Sequence, residues 1–117
     1  MTQTANKKTV ERYLDGFRTS DHELVLGCLT DDVEWVIPGI FHVVGKEAFD
    51  GQIEYAAFVG RPAITLHRLV EEVDVVVAEG AVRAVRAEGG FLESVFCDVF
   101  VMRGGKIARL TTYLAEV

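Results

Sequence analysis

The second half of the chain contains long runs rich in valine and other β-forming residues, and this pattern restricts the fold more than any other feature. Four such runs follow one another: Ala63–Ala78, Ala81–Glu88, Phe91–Arg103 and Lys106–Leu114. Glycine-containing pairs, which are typical hairpin turns, separate them: Glu79-Gly80, Gly89-Gly90 and Gly104-Gly105. The pattern therefore predicts a meander of four long antiparallel strands.

The first sixty residues show helical patterning instead. Apolar residues spaced three and four apart predict an amphipathic helix over Thr9–Arg18. We expect two further helices, His22–Leu29 and Lys46–Phe58, and two short strands, Val33–Ile37 and Phe41–Val44. Three helices followed by antiparallel strands predict an α+β fold, and the length of 117 residues fits one domain over residues 1–117.

Composition excludes several classes of function. The net charge is −6 and the longest basic cluster is Lys7-Lys8, which argues against nucleic acid as a partner. No apolar run approaches the ~18 residues of a membrane span, so we expect no membrane partner. Cys28 and Cys97 form no metal-binding or redox motif. We therefore expect reduced thiols, a cytoplasmic location, and neither metal nor cofactor.

Both faces of the predicted strand Phe91–Arg103 are apolar. One face carries Phe96, Phe100 and Met102, and the other carries valines and Cys97. A sheet covered by helices on one side usually presents a polar second face to water. An apolar outer face indicates an interface, so the pattern predicts a homodimer through this face. A monomer with a few exposed valines is the alternative.

Five short segments spread over almost the whole chain occur in a specific order: Val10–Leu14, Leu29–Trp35, Pro38-Gly39, Gly45–Phe49 and Asp98–Ile107. Their order and spacing resemble SnoaL-like proteins of the nuclear-transport-factor-2-like superfamily. That superfamily also includes ketosteroid isomerases, polyketide cyclases and limonene epoxide hydrolases. The resemblance implies three N-terminal helices packed in the concavity of a strongly curved, mostly antiparallel sheet. This arrangement is a cone-shaped α+β barrel with one deep apolar pocket.

Asp98 is the only charged residue between Val95 and Met102, and Phe96 and Phe100 flank it on its own face. Burial there would desolvate a carboxylate, so we expect a raised pKa and a protonated carboxyl that donates a hydrogen bond. By resemblance, Asp98 matches the carboxylic acid of the ketosteroid isomerase oxyanion hole, and Tyr13 matches its tyrosine. In the alternative, Asp98 only hydrogen-bonds Tyr13 or a backbone group at the pocket floor.

The resemblance leaves the base for proton transfer unassigned. Isomerases of the superfamily carry a carboxylate just before the proline that ends the first strand, and this chain has Ile37 there. We predict His42 as the substitute base, because it lies nearby in the sequence and the ordinary imidazole pKa near 6.5 suits proton transfer. A purely structural role for His42 is the alternative.

Arg86 and Glu88 stand two residues apart, and we expect them to form an ion pair on one strand face beside the pocket. The pair resembles the Arg-x-Asp part of the limonene epoxide hydrolase site. The second carboxylate of that site would stand just before Tyr113, where this chain has Thr112. One acid is therefore missing, which disfavours epoxide hydrolysis by that mechanism and favours an ordinary salt bridge.

Small-molecule sites are mostly apolar with few polar groups, and the candidate lining residues fit this rule. The apolar and aromatic candidates are Phe17, Trp35, Ile37, Phe49, Tyr55, Phe58, Phe96, Phe100, Leu110 and Leu114, and the polar ones are Arg86, Glu88 and Thr112. Some of these residues belong to the core rather than the pocket.

Taken together, the candidate residues predict a cofactor-independent enzyme of the isomerase or cyclase type. It would move a proton on a small apolar carbonyl compound, with Tyr13 and Asp98 as hydrogen-bond donors and His42 as the base. Two alternatives remain open. One is a non-catalytic binding module for an apolar metabolite, and the other is a hydrolase that activates water with Arg86 and Glu88.

Overall fold

The computed structural model describes residues 3–54 and 58–117, and these residues form three helices and six strands. The helices are α1 (Ala5–Arg18), α2 (His22–Gly27) and α3 (Lys46–Asp50). The strands are β1 (Leu29–Ile37), β2 (Phe41–Val44), β3 (Phe58–Glu72), β4 (Val75–Arg86), β5 (Phe91–Arg103) and β6 (Lys106–Glu116). The predicted α+β class is confirmed.

Side-chain caps define where the first two helices begin. The Thr4 hydroxyl and the Asp21 carboxylate each accept a hydrogen bond from a backbone N–H in the first turn of α1 and α2, respectively. The buried face of α1 includes Val10, Tyr13 and Leu14, as the helical spacing predicts. α1 is the longest helix in the described residues, and none of the helices there has the length and hydrophobicity to cross a bilayer.

The six strands form one curled sheet in the order β2-β1-β6-β5-β4-β3. β1 and β6 run parallel, and every other neighbouring pair is antiparallel. The sheet wraps around the helices, and α1 contacts β3, β4 and β6. Among the described residues the two edge strands, β2 and β3, do not pair, so the cone-shaped sheet is open rather than a closed barrel.

The first hairpin of the meander does not turn where the glycine pattern places it. β3 and β4 meet at Val73-Asp74, so the predicted strand Ala63–Ala78 is divided. Val73 has a φ of 55°, which is uncommon for a β-branched residue, and the two residues carry no usual hairpin signal. The predicted turns at Gly89-Gly90 and Gly104-Gly105 are present.

Gly80 lies within β4 and serves close packing rather than a turn. It pairs with Leu66 of β3 on one side and with Phe96 of β5 on the other. A Cβ at this position would lie 2.1 Å from the backbone oxygen of Thr65 and 2.9 Å from the Phe96 ring. The register of β3 shifts between Leu66 and Arg68, so the missing side chain admits an irregular neighbouring strand.

The third helix is shorter than predicted. α3 ends at Asp50, and residues 51–54 form turns and bends instead of continuing to Phe58. Glycine carries a cost of about 1 kcal/mol relative to alanine within a helix, and Gly51 stands directly after the last helical residue. The remainder of the predicted helix, Tyr55–Ala57, lies outside the described residues.

The two faces of β5 differ as the alternating pattern predicts. Phe96, Asp98, Phe100 and Met102 are buried toward the helices, whereas the valine and cysteine positions between them are half-buried or exposed on the outer face. This outer face is apolar, and the homodimer through it stays a prediction.

Candidate functional site

A cavity of about 490 Å³ lies between the helices and the concave face of the sheet. Its volume falls within the range of about 300–1,000 Å³ that is usual for small-molecule sites. The buried residues of its inner wall are Tyr13, Leu14, Trp35, Ile37, Phe96, Asp98 and Thr112. Its more exposed rim includes Ser20, Gln52, Ile53, Glu54, Val59, Gly60, Pro62 and Leu114.

Asp98 contributes a carboxyl group to the inner wall. The residue is only 7% exposed, and its Oδ1 atom has no hydrogen-bond partner among the described residues. Burial raises the pKa of Asp98 to about 7, and the hydroxyl of Thr112 opposes this shift in part. The carboxyl therefore holds its proton below neutral pH and can donate it in a hydrogen bond into the cavity.

A short hydrogen-bond chain positions this carboxyl. The indole N–H of Trp35 donates to Thr112 Oγ1 at 3.0 Å, and Thr112 pairs directly with Asp98 across β5 and β6. Because the hydroxyl oxygen accepts from the indole, its own hydrogen is free for the Asp98 carboxyl. Trp35 and Thr112 thus orient the Asp98 carboxyl. The sequence did not predict this connection: it predicted Trp35 as a lining residue, and Thr112 as a lining residue at the position of a missing carboxylate.

Tyr13 supplies a second hydrogen-bond donor, its phenolic hydroxyl, to the cavity wall. Its ring is 2% exposed and packs against Phe17, Phe49 and Phe100, with centroid separations of 5.0, 6.1 and 5.4 Å. Burial, followed by the negative charge of Asp98, raises the pKa of Tyr13 well above its ordinary value. Tyr13 therefore remains a hydrogen-bond donor at physiological pH, and the structure brings it and Asp98 to the same cavity.

The predicted lining residues divide into two groups. Phe17, Trp35, Ile37, Phe96, Thr112 and Leu114 line the cavity. Phe49, Phe100 and Leu110 are fully buried in the core and support the wall from behind. For example, the Phe49 ring stacks on Trp35 at a centroid separation of 4.5 Å. Tyr55 and the side chain of Phe58 lie outside the described residues.

His42 does not reach the cavity. Neighbouring side chains of a strand point to opposite faces, and Phe41 turns inward to contact Trp35 at 5.1 Å between ring centroids. His42 therefore points outward, where its Nε2 atom lies 3.8 Å from Glu34 Oε2 and its side chain is 54% exposed. Its prediction as the base rested on proximity in sequence, and the alternation of β2 places it on the wrong side of the sheet.

Arg86 and Glu88 do not form the predicted ion pair on one strand face. β4 ends at Arg86, and Glu88 lies exposed in the following turn. Arg86 instead approaches Glu116 at the end of β6, with 3.5 Å between Nη2 and Oε2. Neither Arg86 nor Glu88 belongs to the described lining of the cavity, so the water-activating arrangement is not formed.

A cluster of three ionisable side chains at the rim was not found from the sequence. His22 Nδ1 lies 2.6 Å from Asp50 Oδ1, and His22 Nε2 lies 2.5 Å from Glu54 Oε1. The hydrogen bond to Asp50, followed by the one to Glu54, raises the pKa of His22. Asp50 and Glu54 follow His22 by 28 and 32 positions in the sequence, so the three residues form no local motif. Within residues 3–54 and 58–117, no set of three or more histidine, cysteine or acidic side chains is arranged to hold a metal ion.

Comparison with known proteins places this geometry in a family. The protein-family model of the SnoaL-like domain matches residues 10–110 of this chain. The chain belongs to the SnoaL-like domain family. No curated protein matches this SnoaL-like chain significantly.

Solved structures with the same fold belong to proteins of several kinds. An NTF2-like protein from Anabaena variabilis ATCC 29413 is 25% identical, with a TM-score of 0.83 and coverage of 98% of this chain and 94% of that chain. TerC, co-crystallised with polyporic acid, is 24% identical, with a TM-score of 0.84 and coverage of 93% and 90%. An LEH-like epoxide hydrolase from M. tuberculosis is 18% identical, with a TM-score of 0.83 and coverage of 95% and 83%. The SnoaL-like fold is thus shared by proteins of different function, and the site residues must indicate the chemistry.

Proposed function

We propose that this SnoaL-like protein is a cofactor-independent enzyme of the isomerase or cyclase type that moves a proton on a small apolar carbonyl compound. The observation that carries the proposal is the buried Asp98 carboxyl, which shares an apolar cavity with the Tyr13 hydroxyl and whose Oδ1 atom has no hydrogen-bond partner in the part of the chain that the structure describes. An unpartnered buried polar atom is costly, and a hydrogen bond to a ligand oxygen would remove that cost.

The two donors suit the charge that develops when a proton leaves the carbon next to a carbonyl group. Loss of that proton moves negative charge onto the carbonyl oxygen and produces an enolate. Tyr13 and protonated Asp98 would each donate a hydrogen bond to this oxygen, and such bonds are stronger to an anion than to a neutral carbonyl. The donors therefore stabilise the transition state more than the bound substrate.

The lining indicates what kind of compound fits. Among the described lining residues there is neither lysine nor arginine, so the cavity provides no cation for a phosphate or carboxylate group. Aromatic and aliphatic side chains form most of the wall, which favours an apolar ring system. The carbonyl group of such a compound would point toward Tyr13 and Asp98.

Binding of 2-naphthol tests the donors, because its hydroxyl group and flat ring mimic an enol. At pH 6 Tyr13, Asp98 and 2-naphthol are all uncharged, and a hydrogen bond between neutral groups contributes about 0.5–1.5 kcal/mol. Two such bonds should make 2-naphthol bind about 10-fold more tightly than naphthalene. Asp98→Leu, which has a similar size but no O–H or N–H to donate, should remove most of this preference without weakening the binding of naphthalene. Isothermal titration calorimetry measures both affinities.

The matched control is Asp74→Leu, which makes the same chemical change in the exposed β3–β4 turn. It should bind both compounds as the wild type does. Equal affinity of the wild type and Asp98→Leu for 2-naphthol would refute the role of Asp98 as a donor.

A non-catalytic binding module is the second candidate, and Ile37 favours it. This residue lines the cavity at the position where isomerases of the superfamily are expected to carry their carboxylate base. A binding module would bind 2-naphthol but would not accelerate hydrogen exchange in the corresponding ketone. Measurement of both properties separates the two candidates.

A further inference from the structure

We propose that Glu54 is the proton acceptor of this cavity and that His22 and Asp50 position its carboxylate. The inference rests on the proposed function, because it assigns the base that the proton transfer needs. It uses a cluster that belongs neither to the Tyr13–Asp98 pair nor to any position that the family resemblance supplied.

Elimination among the lining residues supports Glu54. The titratable side chains in the described lining are Tyr13, Asp98 and Glu54. Tyr13 and Asp98 are buried on the inner wall, where desolvation raises both pKa values, that of Asp98 to about 7, so at pH 6 neither is a ready proton acceptor. Glu54 is exposed at the rim, where water stabilises a carboxylate.

The contacts of His22 explain how an exposed glutamate can be held in place. His22 begins α2 and Asp50 ends α3, so both partners stand on ordered elements. The ring nitrogens of His22 lie 2.6 Å from Asp50 and 2.5 Å from Glu54, and an imidazolium donates from both nitrogens at once. This arrangement uses Oε1 of Glu54, and Oε2, which makes no hydrogen bond within residues 3–54 and 58–117, can face a substrate.

The proton transfer balances without a co-reactant. Glu54 Oε2 takes a proton from the carbon next to the carbonyl group, and the electrons of the broken C–H bond form a C=C bond. The carbonyl π electrons move to oxygen, which accepts hydrogen bonds from Tyr13 and Asp98. Protonated Glu54 can exchange this proton with solvent and deliver a solvent hydrogen to the same carbon, which labels the ketone. Alternatively, it delivers the proton to the γ carbon of a β,γ-unsaturated ketone, which isomerises the ketone.

Deuterium incorporation into 2-tetralone tests the proton acceptor, because 2-naphthol resembles the enol of this ketone. In D₂O we expect the wild type to accelerate exchange at the carbon next to the carbonyl group, as followed by proton NMR. Glu54→Gln should lower the maximal exchange rate about 100-fold, since general bases contribute about 10²–10⁴. Its affinity for 2-naphthol should stay within about twofold of the wild type.

Three further variants separate proton transfer from a structural effect. Glu47→Gln makes the same change at an exposed site on α3 outside the described cavity lining, and should exchange at the wild-type rate. Glu54→Ala should regain exchange activity when formate is added, because a free carboxylate can replace the missing one. His22→Gln alone should slow exchange about 10-fold. Added to Glu54→Gln, the same substitution should have no further effect, since His22 acts through Glu54.

The outcomes distinguish this inference from the proposed function on which it rests. If the wild type binds 2-naphthol but Glu54→Gln exchanges 2-tetralone as fast as the wild type, the assignment of Glu54 is wrong and the donor pair stands. The assignment is also wrong if the wild type binds 2-naphthol without any exchange. If the wild type does not bind 2-naphthol, both proposals fail.

Discussion

The wild type should lose about 4 kcal/mol of unfolding free energy as the pH rises from about 4 to 8, and replacing Asp98 with asparagine should remove this loss. This estimate follows from a pKa raised from 3.8 to about 7, at about 1.4 kcal/mol for each pH unit. The residue is almost completely buried, so solvent screens little of the effect. Few other single substitutions in this chain should change the pH dependence of stability so strongly.

The direction of the effect follows from proton binding. Below about pH 4, Asp98 is protonated in both the folded and the unfolded chain, and its contribution to stability is fully retained. Between about pH 4 and 7 the folded protein binds the proton more tightly than the unfolded chain, so the wild type becomes less stable as the pH rises. Above about pH 7 the carboxyl is ionised in both states and the loss is complete.

Urea unfolding of the wild type and Asp98→Asn from pH 4 to pH 8 measures this change. The difference in unfolding free energy between the two proteins should shift by about 4 kcal/mol in favour of the variant, because titration of all other groups largely cancels. Asp74→Asn should show no such shift. A difference that stays constant within about 1 kcal/mol would show that Asp98 is not held protonated by the fold.

Replacing Gly80 with alanine should destabilise the protein by about 3 kcal/mol or more. The added Cβ would lie 2.1 Å from the backbone oxygen of Thr65 and 2.9 Å from the ring of Phe96, and a backbone atom cannot rotate away. Overpacking of a well-packed interior commonly costs about 1–3 kcal/mol, and here β3 itself would have to move. Because about 1 kcal/mol shifts the melting temperature by about 4 °C in a chain of this size, we expect a decrease of about 10 °C or more.

Gly27→Ala provides the matched control for Gly80→Ala. Gly27 ends α2, and a Cβ there meets no atom within 4 Å. Alanine should therefore leave stability unchanged or raise it by up to about 1 kcal/mol. Thermal unfolding by circular dichroism measures both variants. Similar melting temperatures for Gly80→Ala and the wild type would mean that the β3–β4 packing differs from this structure.

The local sequence specified the regular parts of the fold well. The bounds of β5 are those that the pattern predicts, and the glycine pairs that flank it are turns. Gly80 misled the prediction because a glycine permits a turn and a close approach between strands equally well. Which use applies depends on Thr65 and Phe96, whose positions only the paired sheet determines.

The sequence predicted the part of the candidate site that depends on a single strand, β5. The isolation of Asp98 among aromatic residues predicted its burial and its raised pKa, and the structure has both. The base was not predictable in this way. Strand alternation turns His42 outward, whereas His22 and Glu54 meet only when α2 packs near the segment after α3. Contacts of that kind depend on tertiary packing and leave no spacing in the sequence.

The most direct test of the central claim is a carbon-13 NMR titration of the Asp98 side-chain carboxyl group, assigned by comparison with Asp98→Asn. In the free protein we expect this carboxyl to titrate with a pKa of about 7. With bound 2-naphthol at pH 6, its chemical shift should remain that of a protonated acid that donates a hydrogen bond. A carboxyl that titrates near its ordinary value of 3.8, and is ionised at pH 6 with or without 2-naphthol, would contradict the account.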